Sequence, residues 1–318
     1  MKILVTGAAG FIGSHLTEAL LGAGYTVVGL DNIDPFYDPA IKERNLGGAR
    51  RSDAFEFVRG DIRDYEGLQG LFARHRFPTV VHLAARAGVR PSLEDPLLYQ
   101  DVNVRGTMHL LEMARRHGVG RFIFASSSSV YGNNAKTPYA EADPVDQPIS
   151  PYAATKKAGE LLCYTYHHLY HFDVVCLRFF TVYGPRQRPD MAVHKFARLI
   201  CSGEPVPVFG DGQSRRDYTY IDDVVQGIMG SLNYPGHGYE VFNLGESQVT
   251  TLLDLIRLLE RHLGRPARLR HHPEQPGDVQ ITYADIQKAV RLLNYNPQTQ
   301  VEDGVRRFAE WFLAQERT

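Results

Sequence analysis

Seven short runs of almost uninterrupted apolar, β-rich residues recur along this chain. They read KILVTG, TVVGLD, FEFVRGD, TVVHLAA, RFIFASS, VVCLRFF and EVFNLG. A strand with one face in water alternates apolar and polar residues. A strand buried on both faces does not, and such strands belong to parallel sheets covered by helices. Helical stretches lie between the runs. In FIGSHLTEALLGAG, Leu16, Ala19 and Leu20 share one side, and Gly22 and Gly24 mark the end. This alternation dictates βαβ units, so the expected fold is α/β, a doubly wound parallel Rossmann sheet of about seven strands. The pattern holds to about Arg178 and then breaks. Residues 183–216 are rich in Pro, Gly and charge, EVFNLG returns to strand character, and 250–318 read as helices with short strands. The expected organisation is a sheet domain over 1–178 plus about 217–246. A smaller α/β substrate-binding lobe would come from about 179–216 plus 247–318.

Composition narrows the function classes. The chain has 318 residues, 43% apolar and 22% charged, with a formal net charge of −1. Length and composition suit a globular enzyme with a sizeable core, and a near-zero charge gives no basic field for nucleic acid. No run approaches the roughly 20 apolar residues of a membrane helix. MKILVTGAAG is a strand running into glycines and lacks the pattern of a signal peptide. Cys163, Cys176 and Cys201 are odd in number and form no CxxC, which argues against a disulfide framework or a zinc site. His167-His168 and His271-His272 lack a third ligand at useful spacing, so no metal is expected. A reduced, cytoplasmic protein is the expectation.

VTGAAGFIGSHL places Gly7, Gly10 and Gly13 between the first strand and the first helix, with Phe11 and Ile12 inside the motif. Glycines let the backbone approach a pyrophosphate, and the helix start supplies free N–H groups and a positive dipole end. Asp31 ends the second strand, where a carboxylate can bond adenosine ribose hydroxyls. Asn32 follows it in place of an arginine, so the cofactor is expected to be NAD; Asp31 would repel the 2′-phosphate of NADP. Asp61 and Ile62, in GDIRD at the end of the third strand, read either as adenine contacts or as a plain strand-end turn.

SPYAATKKAGE sets Tyr152 four residues before Lys156, on one helix face. A lone YxxxK is a cheap match, but this one follows the fifth strand, ASSSSVYG, whose end should open at the cofactor crevice. A phenol with a pKa near 10 is a poor base at neutral pH. A neighbouring ammonium and an oxidised nicotinamide would lower it. The expected machinery is Tyr152 as acid/base, Lys156 as its electrostatic partner and Ser127 as a hydrogen-bond partner.

TGAAGFIGSHL, HLAA, SSSSVYG, PYAATKKAGE, RFFTVYGP and RRDYTYIDDVV together resemble the extended short-chain dehydrogenases/reductases, the nucleotide-sugar epimerases and dehydratases. The likeness spans nearly the whole chain. It implies Ser127 as the catalytic hydroxyl, Asn103 beside the cofactor, and Leu83, Ala84 and Ala85 passing the nicotinamide ribose. It further implies Phe209 near uracil, Arg216 on the pyrophosphate and Asp278 on a ribose. Gln275 stands where galactose-type epimerases usually carry an arginine. Dehydratases of this kind follow the catalytic hydroxyl with Asp-Glu, and related decarboxylases usually have a Glu nearby. Ser128 and Ser129 stand here instead, which disfavours elimination and leaves 4-epimerisation.

RFFTVYGP followed by RPDMA, together with DNIDPFYDPAIK, resembles the UDP-glucuronate 4-epimerases. That likeness implies Arg188 and Thr181 around the sugar carboxylate. Guanidinium and carboxylate match as a two-pronged pair. Oxidising a glucuronate at C4 gives a β-keto acid, and anchored carboxylate oxygens would resist loss of CO₂. UDP-glucose and UDP-galactose remain the alternative substrates, and after them another nucleotide sugar acted on by an epimerase or dehydratase, because Arg186-Gln187 replaces the Trp-Gly common in that group. Arg186 reads equally as a phosphate ligand or a solvated residue, and Arg90 as a hexuronate-end contact or a surface residue. The likeness also implies a homodimer through a four-helix bundle built from the helix after Tyr152 and the one near 97–117.

Overall fold

All seven apolar runs become strands of one parallel sheet in the computed structural model, which describes residues 1–273 and 279–315. In chain order the strands are β1 (Lys2–Thr6), β2 (Thr26–Asp31), β3 (Phe55–Arg59), β4 (Thr79–His82), β5 (Arg121–Ser127), β6 (Asp173–Phe179), β7 (Thr181–Tyr183), β8 (Pro205–Phe209), β9 (Arg215–Arg216), β10 (Tyr218–Tyr220), β11 (Tyr239–Leu244), β12 (Thr250–Thr251) and β13 (Arg268–His272). The main sheet runs β11-β6-β5-β4-β1-β2-β3. β1 lies between β2 and β4, so the winding reverses there and leaves a crevice outside the strand ends. Gly7, Asp31, Leu83, Ser127 and Phe180 all lie at or just past those carboxyl ends.

Burial explains the unbroken apolar runs. Ile3, Val5, Ile123, Val175 and Leu177 belong to one core cluster, while Leu4, Val28, Phe122, Phe124 and Val174 belong to another. Alternate residues thus point to opposite faces, and both faces are dry. The edge strand β3 is only partly buried, and it is the run that mixes Glu and Arg among its aromatics.

The helix Pro151–Tyr170 is placed by local chemistry. The Ser150 side chain accepts the Ala153 N–H at 3.1 Å, and Pro151 sits where no N–H is needed. A Cβ on Gly159 would lie 2.3 Å from the Phe124 ring, so only glycine lets the helix press this close to β5. Glu160, fully buried, accepts from Ser126 Oγ at 2.7 Å and from Arg178 Nε and Nη2 at 2.8 and 2.9 Å. Burial would raise its pKa, but the Arg178 bonds and charge outweigh that and hold it below the usual value.

Beyond β6, β7 pairs with β10, β8 with β13 and β9 with β12. Asp217, fully buried, accepts from the backbone N–H groups of Glu246, Ser247 and Ala284 at 2.7, 3.1 and 3.1 Å. Burial, then the Asp223 and Asp217 carboxylates, push the nearby Glu246 up to about 8. Among the described residues no helix is long and apolar enough to cross a membrane.

Two predictions follow from these buried carboxyls. Glu160→Gln leaves Arg178 without its counter-ion and should cost about 3–5 kcal/mol in urea unfolding. The folded chain keeps the Glu246 proton that the unfolded chain releases near 4.5, so this contribution is full at low pH and lost as pH rises through 8. Glu246→Gln should therefore flatten the decline of the urea midpoint between pH 5 and 8.5, with the gap from the parent protein widest at the alkaline end.

Candidate active site

The glycine turn is sterically forced. Gly7 has φ +73°, and a Cβ there would sit 2.8 Å from the Ala84 nitrogen; a Cβ on Gly13 would lie 2.0 Å from the Gly7 oxygen. These contacts draw the helix Phe11–Gly22 onto the end of β1. Its Gly10 N-cap offers no side-chain cap, and its first turn carries no acid. The helix therefore presents unsatisfied N–H groups, as an anion-binding start requires.

Those groups open into a cleft of about 1410 Å³, counting the solvent at its mouth. Gly7, Gly10, Phe11, Ile12, Gly13, Asp31, Asn32, Asp61, Ile62, Leu83, Ala84 and Ala85 all line it, as do Ser127, Tyr152, Lys156 and Arg188. Asp31 is buried and accepts from Ala9 N at 3.1 Å and Ile33 N at 2.8 Å. Burial raises its pKa, and the Lys42 charge opposes that rise. Asp61 shows the reverse balance: burial raises it, but bonds from Arg63 prevail and hold it at about 2. Asn32 donates to Asp61 at 2.9 Å and so spends its amide inside the wall.

At the other end of the cleft the acid/base candidates meet. Burial raises the Tyr152 pKa, against a hydrogen bond from Ser127 and the charge of Arg188. Burial also lowers Lys156, to about 8. Lys156 Nζ donates to Ala125 O at 2.8 Å and lies 5.2 Å from the Phe124 ring centroid. The Arg188 charge also lowers the Tyr152 phenol, and desolvation wins over it. A buried phenol and a buried ammonium are both driven toward their neutral forms.

Other expected residues fall in different places. Asn103 stands behind the wall in an irregular turn of helix, its amide bonding Arg86 N, Arg86 O and Thr155 Oγ1 at 2.8, 2.9 and 3.0 Å. It holds the Arg86 backbone at the cleft and does not itself line it. Ser129 Oγ accepts from Ser127 Oγ at 3.2 Å, and Ser128 opens the turn after β5. Thr181, Phe209 and Arg216 line a second cavity of about 1120 Å³, also open to solvent, which Asp190 shares. Arg90 stacks over Phe209 at 4.5 Å on the same wall. Asp278 and Gln275 lie outside the described residues.

The loop between the two cavities is braced from both sides. Arg186, at φ +65°, binds both Glu18 oxygens at 3.0 Å, and Pro185 O lies 3.0 Å from His15 Nε2. Gln187 is buried, donates to Val182 O at 3.0 Å and accepts His194 N–H at 3.1 Å. Arg186 is thus a strut to the helix Phe11–Gly22. Lining residues that the sequence reading missed are Lys42, beside Asp31, and Arg86, which pairs with Asp34 at 2.9 Å and stacks on Phe36 at 4.7 Å. Only the DPFYDPAIK stretch hinted at Lys42; nothing in HLAAR distinguishes Arg86 from a solvated arginine.

Parallel sheet, glycine turn, strand-end acid and Tyr-Lys helix define an extended short-chain dehydrogenase/reductase. Residues 4–308 match the family described as GDP-mannose 4,6 dehydratase, and the chain belongs to that family. It is 44% identical over 309 residues to the UDP-glucuronate 4-epimerase of Thermodesulfobacterium geofontis, covering 97% of this chain and 95% of that one. The crystal structure of UDP-glucuronic acid 4-epimerase from Bacillus cereus, in complex with UDP-glucuronic acid and NAD, superposes with a TM-score of 0.94 at 40% identity, over 99% and 100% of the two chains. UDP-glucose 4-epimerase from Thermotoga maritima, with UDP-glucose, gives 0.91 at 35% identity over 99% and 100%.

The uncapped helix start, the close glycine packing and the buried Asp31 fit a dinucleotide, and NAD is the cofactor. Asp31→Ala should weaken NAD binding about tenfold, a loss of ~1.4 kcal/mol, and narrow the preference over NADP; fluorescence titration of both nucleotides measures it.

Proposed function

We propose that this protein converts UDP-glucuronate to UDP-galacturonate by reversible oxidation at C4. One observation carries the choice of substrate: the guanidinium of Arg188 is buried in the wall of the cleft that holds Tyr152 and Ser127. The carboxylate it meets within the chain, Asp190, is itself partly exposed, so a substrate carboxylate can compete for the guanidinium. The choice is also supported by the resemblance to the T. geofontis and B. cereus enzymes.

Bound in the first cleft, NAD supplies a reversible hydride acceptor and a positive ring charge. The protein supplies the proton chemistry and the grip. Tyr152 takes the C4 hydroxyl proton and later returns it. Ser127 bonds the same sugar oxygen, and Lys156 anchors the cofactor ribose beside them. Gly7, Gly10, Phe11, Ile12 and Gly13 receive the pyrophosphate; Asp31 and Asn32 the adenosine ribose; Asp61 and Ile62 the adenine end. Leu83, Ala84 and Ala85 follow the nicotinamide ribose, and Asn103 acts by holding that wall. Phe209 and Arg216 hold the uridine diphosphate, with Asp278 on its ribose. Arg188 and Thr181, helped by Ser128 and Ser129, fix the carboxylate. The 4-keto sugar turns over between the two cavities and takes the hydride on its other face. Held oxygens keep the β-keto acid from aligning its C–CO₂ bond with the carbonyl, which suppresses loss of CO₂.

The same reading assigns 1–178 plus about 217–246 to the cofactor and about 179–216 plus 247–318 to the nucleotide sugar. It assigns the active form to a homodimer in a reduced, cytoplasmic setting. Support for the dimer is the apolar face of helix Pro151–Tyr170, where Leu161, Tyr164 and Leu169 are each more than half exposed. That helix packs beside Gly106–Arg116 through a Tyr166–Glu112 hydrogen bond at 2.8 Å, giving two helices per subunit for a four-helix contact. A second reading, 4-epimerisation of UDP-glucose and UDP-galactose, has the T. maritima likeness in its favour.

Incubation with each UDP-sugar and product analysis decides between them. The acid sugar should yield its 4-epimer with little pentose. Tyr152→Phe should lower turnover about 10²–10⁴-fold while NAD stays bound. Arg188→Ala should lower kcat/KM on UDP-glucuronate about 10–100-fold, raise the pentose fraction and spare neutral sugars. Faster turnover of the neutral sugars by the parent protein would reverse the assignment.

A further inference from the structure

Arg188 already holds a carboxylate. Its Nε donates to Asp190 Oδ1 at 3.0 Å and its Nη2 to Asp190 Oδ2 at 2.6 Å, a two-pronged pair. Nη2 also donates to Ala87 O at 3.1 Å, and the guanidinium stacks 5.1 Å from the Phe36 ring centroid. The edge of the guanidinium best suited to a planar carboxylate is therefore taken by the protein's own acid. The two partners differ in exposure: the Arg188 side chain is 15% exposed and that of Asp190 39%. The cation is fixed by its stacking and its Ala87 bond, whereas the acid stands at the solvent side.

The position of that acid is informative. Arg188 lines the cleft of Tyr152, while Thr181 and Asp190 line the adjoining cavity. Asp190 thus bonds one of the two side chains assigned to the sugar carboxylate and lines the same cavity as the other. The loop beneath cannot easily relax around a change there, since Arg186–Glu18 and the buried Gln187 brace it. Exchange of one carboxylate for another is then a side-chain event at Asp190.

Resting on the assignment of UDP-glucuronate as substrate, we infer that Asp190 is a stand-in for the substrate carboxylate, a specificity-determining residue that pairs Arg188 until an acid sugar displaces it. The pair has two consequences. It keeps the buried guanidinium neutralised when a neutral sugar or none is bound. It also makes the acid sugar compete with an internal anion, so part of the binding energy of the carboxylate is spent on displacing Asp190. A neutral sugar displaces nothing and is indifferent to the charge at 190.

Asp190→Asn keeps the shape and one acceptor but removes the charge. With bound NAD and the full-length protein, KM for UDP-glucuronate should fall about fivefold, the scale of a partly exposed ion pair, while KM for UDP-glucose stays unchanged. Calorimetric binding of UDP-glucuronate and of UDP-glucose to the Tyr152→Phe background should show the same split without turnover. Asp190→Glu retains the charge and should leave the ratio of the two sugars near that of the parent protein. A rise in KM for UDP-glucuronate in Asp190→Asn would make Asp190 an orienting partner of Arg188 and overturn the inference, as would an unchanged ratio. If the parent protein acts on UDP-glucuronate and loses that activity in Arg188→Ala, such a result removes this inference alone. If the parent protein leaves UDP-glucuronate unconverted, the functional reading falls and this inference falls with it.

Discussion

The ion pair between Glu160 and Arg178 holds the geometry on which the rest depends. Arg178 lies in β6, Ser126 in β5, and Glu160 between two and three turns into the helix Pro151–Tyr170, which carries Tyr152. One buried carboxylate therefore ties the helix to two neighbouring strands. Against a well-packed apolar core such a pair adds little net stability, because both charges must be stripped of water. Its effect is on register. A helix held only by apolar contacts can slide or rotate at modest cost. One whose carboxylate must meet both the Arg178 fork and Ser126 cannot. Tyr152 and Lys156 thereby reach the end of β5 beside Ser127 in one arrangement.

Dryness sets the chemistry at that point. The same burial raises Tyr152 and lowers Lys156, so the resting site favours a protonated phenol and a weakened ammonium. Activation then depends on what positive charge faces the phenol. The Arg188 charge lowers the phenol a little, but burial outweighs it, so the positive ring of bound NAD is the charge left to lower it further.

The loop that carries this guanidinium is stiffened by two of its own residues. Where the resembling group commonly has Trp-Gly, Arg186 reaches Glu18 on the cofactor helix and Gln187 is buried, bonded to Val182 on β7 and to His194 in the following helix. Both replacements were reasons to question the substrate on sequence alone. In three dimensions both hold the loop in place and leave Arg188 in the cleft wall.

The sheet was legible in the sequence because parallel strands buried on both faces must be apolar throughout, and all seven runs took their places. Gly7, Gly13, Asp31 and the Tyr152–Lys156 pair were legible because steric room, strand ends and helical spacing are local properties. What no spacing could reveal is which charges meet across the fold. The pairings of Arg188 with Asp190 and Arg186 with Glu18, the turning of Lys156 toward Ala125 O, and the retreat of Asn103 behind the wall all depend on tertiary contact. Sequence determines which side chains are charged. Only the packed fold decides how much water each loses and which partner replaces it, because desolvation and Coulomb energy are set by neighbours remote along the chain.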